Sequence, residues 1–361
     1  MADSKGVAPR LLGQWVHAQI FGASLPAGAR LTLGEGGTAL DPTPELGEGL
    51  GIPQLLLKRE DQNPTGSHKA RCLSLLCSQV VASGRSQAVI SSSGNAAVAA
   101  AAYAELGGIR LLSLISPLTP RVKLERLLAY PQLAVASPRP VGLLHHSVRH
   151  WQLQDLRGST NPLAPNAYRG IAAELVGGDE LAAIFLYASS GASALGLAQG
   201  LERLLERSQR PQLHIVETAP GGELTRPWYP RGTPDDGAGP RVGELGARRS
   251  RLAPAVRRAV RASGGRGWRV APSELPQVRE LAERSGLRTS WEGLATLAAM
   301  RRAAAEGWPV RAATWIAVMT GDAAQLDLEP GPAAGSGPPI ANSEEELDQL
   351  LREAGFSRGQ G

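Results

Sequence analysis

The chain has 361 residues, 42% of them hydrophobic and 20% charged, with a formal net charge of +5. That length and balance fit one large or two ordinary globular domains with a substantial buried core. No apolar run approaches the ~20 residues that span a bilayer, which speaks against a membrane protein.

Residues Met1 to Gln14 lack a charged start followed by an apolar block, so no signal peptide is expected. Cys72 and Cys77 form neither a C-x-x-C pair nor a disulfide framework, which suits a reducing cytoplasm. Lysine occurs only at Lys5, Lys58, Lys69 and Lys123, so arginine supplies nearly all the positive charge. Few amines are therefore open to Schiff-base chemistry. The basic excess between Arg241 and Arg269 has no interleaved aromatic residue before Trp268. It reads as the solvated face of a helix over Arg251 to Arg261, and no nucleic-acid partner is expected.

In chain order, Leu55–Lys58 reads as a strand and His68–Ser83 as a helix. Ala88–Ser91 is a strand, Ala96–Leu106 an alanine-rich helix and Leu111–Ile115 a strand. Arg121–Leu128 is a helix and Leu133–Ala136 a strand. Ala183–Tyr187 is a strand, followed by a helix from Ser193 to about Ser208. Leu213–Glu217 and Thr314–Met319 are the last strands, and Pro227–Gly246 is a Gly/Pro-rich loop. Gly331–Ser336 reads as a linker, followed by a capped helix from Ser343 to near Ala354. Alternation of this kind predicts α/β architecture with parallel-rich sheets covered by helices on both faces.

Four short segments carry chemistry. In Asn63-Pro64-Thr65-Gly66-Ser67-His68-Lys69, a turn leads into a helix that Ser67 is placed to cap. Lys69 then lies in the first helical turn, where the helix dipole disfavours a cation and favours a neutral, nucleophilic amine. On this stretch alone, a surface lysine on an amphipathic helix is the simpler reading. Ser92-Ser93-Gly94-Asn95 follows a strand and opens a helix, a place where backbone N–H groups bind a carboxylate. Ser189-Ser190-Gly191-Ala192-Ser193 has the same context and suits a phosphate. Thr320-Gly321 ends the last strand, at the edge where parallel sheets bind ligands. Each of these, taken singly, is also an ordinary turn or cap.

Their order and spacing resemble the β-family (fold type II) of pyridoxal-phosphate enzymes, and within it the threonine synthases. Gly34-Glu35-Gly36-Gly37-Thr38-Ala39-Leu40 is similar to that family's G-E-G-x-T-P-L, and Lys58 to Arg71 to its K-x-E-x-x-N-P-T-G-S-F-K-D-R. Ser92 to Asn95 matches S-S-G-N, Glu292 to Ala299 resembles E-G-A-A-T-L-A-A, and Thr320-Gly321 resembles the closing T-G. The resemblance implies two three-layer α/β domains with pyridoxal 5'-phosphate in the cleft between them. The large cofactor-binding domain would take 1–78 and 166–330, the inserted small domain 79–165, and a linker with a short helix 331–361. Lys69 would carry the cofactor as a Schiff base and move protons on the substrate. Asn95 would bond the ring oxygen, Ser190, Gly191, Ala192 and Ser193 would cradle the phosphate, and Thr320 would bond the pyridine nitrogen. Ser92, Ser93 and Gly94 would bind the carboxylate of a small amino-acid substrate. The family also implies a homodimer.

The implied reaction is elimination of phosphate from O-phosphohomoserine with addition of water to give threonine. Serine/threonine dehydration, β-replacement, and a catalytically silent relative that binds an amino acid or a partner protein stay open as alternatives. The reason is local. His68-Lys69-Ala70 stands for Phe-Lys-Asp, Ala96 stands where threonine is frequent, and Asp322-Ala323-Ala324-Gln325-Leu326 lacks the family's lysine. These departures touch the substrate pocket more than the cofactor frame. His145, His146 and His150 cluster on a helix, but without a carboxylate or cysteine pair nearby in sequence no metal is expected.

Overall fold

The computed structural model describes residues 12–22, 25–119, 121–178, 180–219, 222–229, 250–308, 314–326 and 337–358. Their strands are β1 (Leu40–Pro42), β2 (Leu55–Lys58), β3 (Gln87–Ser91), β4 (Arg110–Ile115), β5 (Leu133–Ala136), β6 (Gln154–Asp155), β7 (Leu181–Tyr187), β8 (Gln212–Thr218), β9 (Gly267–Val270) and β10 (Thr314–Val318). They form a six-stranded sheet in the order β1-β2-β10-β7-β8-β9 and a four-stranded sheet in the order β5-β4-β3-β6. Every pairing is parallel except that of β1 with β2.

The central strands β10 and β7 are apolar along nearly their whole length and buried on both faces, as parallel strands between helical layers must be. The helix Lys69–Ala82 is buried almost all round because one core joins it to strands of both sheets. Its neighbour, Asn95–Leu106, presents mostly alanines. The helix Ala192–Leu204 lies very close to its neighbour: a Cβ on Gly196 would fall 2.0 Å from the Pro165 carbonyl oxygen.

The strand–helix alternation expected from the sequence is present, with ends shifted by a few residues at most. The helices Arg169–Leu175, Leu275–Arg284 and Trp291–Ala305 and the strands β1, β6 and β9 are additions to that reading. The basic helix runs Ala253–Ala262 and buries Ala253, Val256 and Val260. Arg257 pairs with Glu223, and Arg269 is buried, bonded to Thr225 and the Gly222 carbonyl. Most of the Pro227–Gly246 loop, Arg241–Arg249 and the Gly331–Ser336 linker lie outside the described residues.

The final helix, Glu344–Glu353, is capped by Ser343 as expected. It packs Leu347 and Leu351 onto the four-stranded sheet, and Ala136 forms a parallel bridge to Ile340. His146 is held by Glu344 at 2.9 Å and Asp348 at 2.7 Å, which explains that histidine structurally. No helix of the described residues is long and apolar enough to cross a membrane.

A buried ionic cluster sits under the N-terminal end of the Lys69–Ala82 helix. Arg71 donates to both Glu60 oxygens at 2.6 and 2.7 Å and to both Glu174 oxygens at 2.8 Å. Lys58 Nζ donates to Glu174 and to the Thr38 carbonyl, each at 2.6 Å. Thr38 and Asn63 donate to the remaining Glu60 acceptor sites. Two cations thus meet two anions, so the cluster is neutral and its desolvation is offset by well-formed bonds. The adjacent Arg71 and Lys58 charges outweigh burial at Glu174 and hold its carboxyl well below the usual carboxylate range.

Glu174→Gln is expected to cost about 3–5 kcal/mol, because it leaves buried cations underpaired. The urea midpoint reads this. The stabilisation from Glu174 is present above the ordinary carboxyl pKa of 4.5 and is lost as pH falls below it. The variant should therefore show a shallower acid limb than wild type. An equally steep limb would place the acid sensitivity elsewhere.

Candidate active site

Four strand ends and the turns that follow them define the site. After β2, the Asn63–Gly66 turn closes with a bond from the Gly66 N–H to the Asn63 carbonyl at 2.7 Å. Gly66 has φ +71°, and a Cβ there would sit 2.0 Å from an Asp322 carboxylate oxygen. The next residues are stitched to the end of β10. Ser67 bridges Gly321, and the His68 N–H donates to the Thr320 carbonyl at 3.1 Å. His68 Nδ1 lies 2.8 Å from the same carbonyl, which can only accept, so Nδ1 carries the hydrogen. Burial, and secondly the Lys69 charge, push the His68 pKa well down and keep the ring neutral.

Lys69 is the first residue of its helix. His68, not Ser67, holds the cap position, while Ser67 Oγ accepts from the Lys69 N–H at 3.3 Å. Burial lowers the Lys69 pKa; Cys72 and Glu292 oppose that shift. No hydrogen bond or ion pair among the described residues engages its amine. The residue is thus an available amine that loses its proton more readily than an ordinary lysine.

The amine faces a cavity lined by residues from all four segments. Ser92, Gly94, Asn95 and Ala96 come from the end of β3 and the helix that follows. Tyr187, Ser189, Ser190, Gly191 and Ser193 come from the end of β7 and its helix, and Thr320 from the end of β10. Gly191 caps its helix at φ +87°, and a Cβ there would fall 2.8 Å from Val256. A small, glycine-capped helix N-terminus suits an anion such as a phosphate.

The structure therefore brings together Lys69, Ser92, Gly94, Asn95, Ser190, Gly191, Ser193 and Thr320. Two expected residues stand behind the wall. Ser93 Oγ accepts from the Ser116 N–H at 3.0 Å, tying the loop after β3 to the loop after β4. Ala192 is the first residue of its helix and is buried in the core.

Sequence reasoning gave no role to three lining residues: Lys123, Tyr187 and Glu292. Glu292 lies in the first turn of a helix that Ser290 caps, and Ser290 and Thr289 both donate to the Gly321 carbonyl. Its signal was the E-G-x-A-T-L-A-A stretch. Lys123 was detectable only as one of four lysines. His68 also lines the cavity, although regular helical spacing would turn it away from Lys69. It precedes the regular helix, and the Thr320 carbonyl sets its ring.

A larger groove of about 480 Å³ lies at the far ends of β4 and β5, beside Arg110, Gln132 and Phe356. It holds neither Lys69 nor the strand-end turns.

Pyridoxal 5'-phosphate places three demands on such a site: an available amine, an anion cradle and polar groups at the ring. Lys69, the Gly191-capped helix, and Asn95 with Thr320 meet them.

Comparison with known proteins agrees. Residues 31–321 match the model of the family described as pyridoxal-phosphate dependent enzyme. An 85-residue stretch is 41% identical to threonine synthase from Mycobacterium leprae, covering 24% of this chain and 23% of that protein. An 86-residue stretch is 36% identical to the Synechocystis threonine synthase, covering 24% and 22%. The matched stretch thus spans about a quarter of those relatives.

Among solved structures, a pyridoxal 5'-phosphate-dependent aspartate racemase superposes with a TM-score of 0.66 at 19% identity, covering 79% of this chain and 90% of that one. Maize serine racemase gives 0.65 at 16% identity, covering 88% and 93%. Threonine deaminase isoform 2 from Solanum lycopersicum gives 0.60 at 14%, covering 89% and 84%. The match over 31–321 and the shared fold make this chain a member of the fold type II pyridoxal-phosphate dependent enzymes, with pyridoxal 5'-phosphate as its cofactor.

Proposed function

We propose that the protein is a threonine-synthase-like lyase that removes phosphate from O-phosphohomoserine or a similar amino acid and adds water to form threonine. One observation carries this reading: the unpartnered Lys69 amine shares a cavity with a glycine-capped helix N-terminus and the Thr320 hydroxyl. The match of about 40% identity to a threonine synthase over one segment supports the choice within the family.

When bound, pyridoxal phosphate supplies an electron sink beside the amino acid's α carbon. The chain's own groups do the rest. Backbone N–H groups at Ser190 to Ser193 would hold the phosphate, with the helix dipole behind them. Asn95 would bond the ring oxygen. The Thr320 hydroxyl would bond the ring nitrogen without the proton a carboxylic acid would share, so the sink would be moderate and proton positions would decide the outcome. Ser92 and Gly94, at the N-terminus of the Asn95–Leu106 helix, bind the substrate carboxylate. Lys69, with its lowered pKa, takes the α proton and then a β proton. Phosphate leaves the γ carbon with its bonding electrons and a proton is returned to that carbon. Water then adds its oxygen at the β carbon, a proton is returned to the α carbon, and the remaining proton leaves with the phosphate. A homodimer and a cytoplasmic setting accompany this reading.

The same frame supports a second reading, β-elimination from serine or threonine or β-replacement on an activated serine. Ser92 and Gly94 address only the carboxylate that all these substrates share, and Ala70 stands where the family carries an aspartate.

Borohydride treatment of the protein loaded with pyridoxal phosphate should leave a stable adduct on the Lys69 peptide, read by mass spectrometry. Lys69→Ala should lose that adduct and about 10²–10⁴-fold in turnover. An unmodified Lys69 in treated wild type would sink the assignment. With O-phosphohomoserine, phosphate and threonine should appear in equal amounts. A 2-oxo acid and ammonia from serine or threonine would select the second reading, and no turnover of any amino acid tested would indicate a silent relative.

A further inference from the structure

We propose that the Lys123 ammonium binds an anionic group on the side chain of the amino-acid substrate. This rests on reading the cavity as the cofactor and amino-acid site, and it adds the residue that selects among amino acids there.

Lys123 lies on the helix Arg121–Leu128, which follows β4 of the four-stranded sheet. The other lysine of the cavity, Lys69, follows Ser67, which bridges Gly321 just past β10 of the six-stranded sheet. Three residues after Lys123, on the same helical face, Arg126 is anchored. Its guanidinium donates to Asp322 at 3.1 and 3.2 Å and to the Thr65 carbonyl at 3.1 Å. These bonds join the helix to the turn before Lys69 and to the segment after Thr320. Lys123 is thereby carried on a helix fixed at the cavity wall.

The amine is half-buried, and among the described residues no hydrogen bond or ion pair engages it. Burial lowers its pKa, while the Glu292 carboxylate, which lines the same cavity, acts to keep it charged. A partly desolvated cation without a hydrogen-bonded anion is costly, and an incoming anion relieves that cost. The other anion sites are already assigned. The Gly191-capped helix takes the cofactor phosphate, and the helix beginning at Asn95 takes the α-carboxylate. A third anion is left for Lys123, and the remaining position on the substrate is its side chain. A phosphate ester or a carboxylate offers the same charge.

The test uses the holoenzyme and its cofactor absorbance to measure equilibrium affinity. The probes are L-2-amino-5-phosphonopentanoate, whose carbon–phosphorus bond cannot be eliminated, L-glutamate and L-homoserine, which carry a phosphonate, a carboxylate and a neutral hydroxyl. Wild type should bind at least one anionic probe more tightly than L-homoserine. Lys123→Gln should reduce that anionic-to-neutral ratio about tenfold or more, and Lys123→Arg should restore part of it. The probe whose ratio collapses identifies phosphate or carboxylate. An unchanged ratio in Lys123→Gln overturns the proposal, whether both affinities fall together or neither moves. Borohydride trapping on the Lys69 peptide of the same variant reports on the cofactor reading separately.

Discussion

Arg71 is the constraint on which the site rests. Its guanidinium is fully buried and spends its donors on two carboxylates from distant parts of the chain, Glu60 beside the site turn and Glu174 on the Arg169–Leu175 helix. An isolated charge in that position would be untenable, so the segments must arrive together or not at all. Arg71 is also two residues from Lys69. The same bonds that neutralise it therefore fix the start of the helix that presents the reactive amine. Lys58, the last residue of β2, joins from the sheet side and ties the strand to the cluster.

Around that anchor, the site is made by backbone rather than by many side chains. Thr320 and Gly321 offer carbonyls to His68, Ser290 and Thr289, so two loops converge on one strand end. The groups left at the cavity are a few hydroxyls, an amide, helix N-termini, lysine amines, the Glu292 carboxylate and the neutral His68 ring. Such a set binds phosphate and carboxylate well and leaves the carbon chemistry to the cofactor.

Much of this was legible in the sequence, for reasons that can be named. The apolar runs of β7 and β10 and the glycine-serine turns after β3 and β7 are local signals, and the expected roles of Lys69, Asn95, Ser190 and Thr320 come from the family resemblance that the order of those segments carries. Other features depend on what approaches from elsewhere. Ser93 looks equivalent to Ser92 on paper, but the Ser116 N–H claims its hydroxyl. His68 appears turned away by helical spacing, yet a carbonyl 252 positions later orients it into the cavity wall. Lys123 and Glu292 flank no strand-end turn, and only the packing of their helices brings them to the cavity. β9 was hidden in a stretch that reads as basic surface, because Arg269 is buried and bonded.

The shortage of lysine has a consequence for the protein as a reagent. Pyridoxal phosphate is an aldehyde and condenses with any available amine. Here the guanidinium groups that cover the surface do not compete for it. Lys58 is sealed in its ion pair at 1% exposure. Among the described residues, the side-chain amines still open to an aldehyde are Lys69 and Lys123, both in the cavity wall. Over the described residues, charge carried on arginine therefore leaves few places for stray condensation, and an aldehyde that finds them is directed toward the cavity.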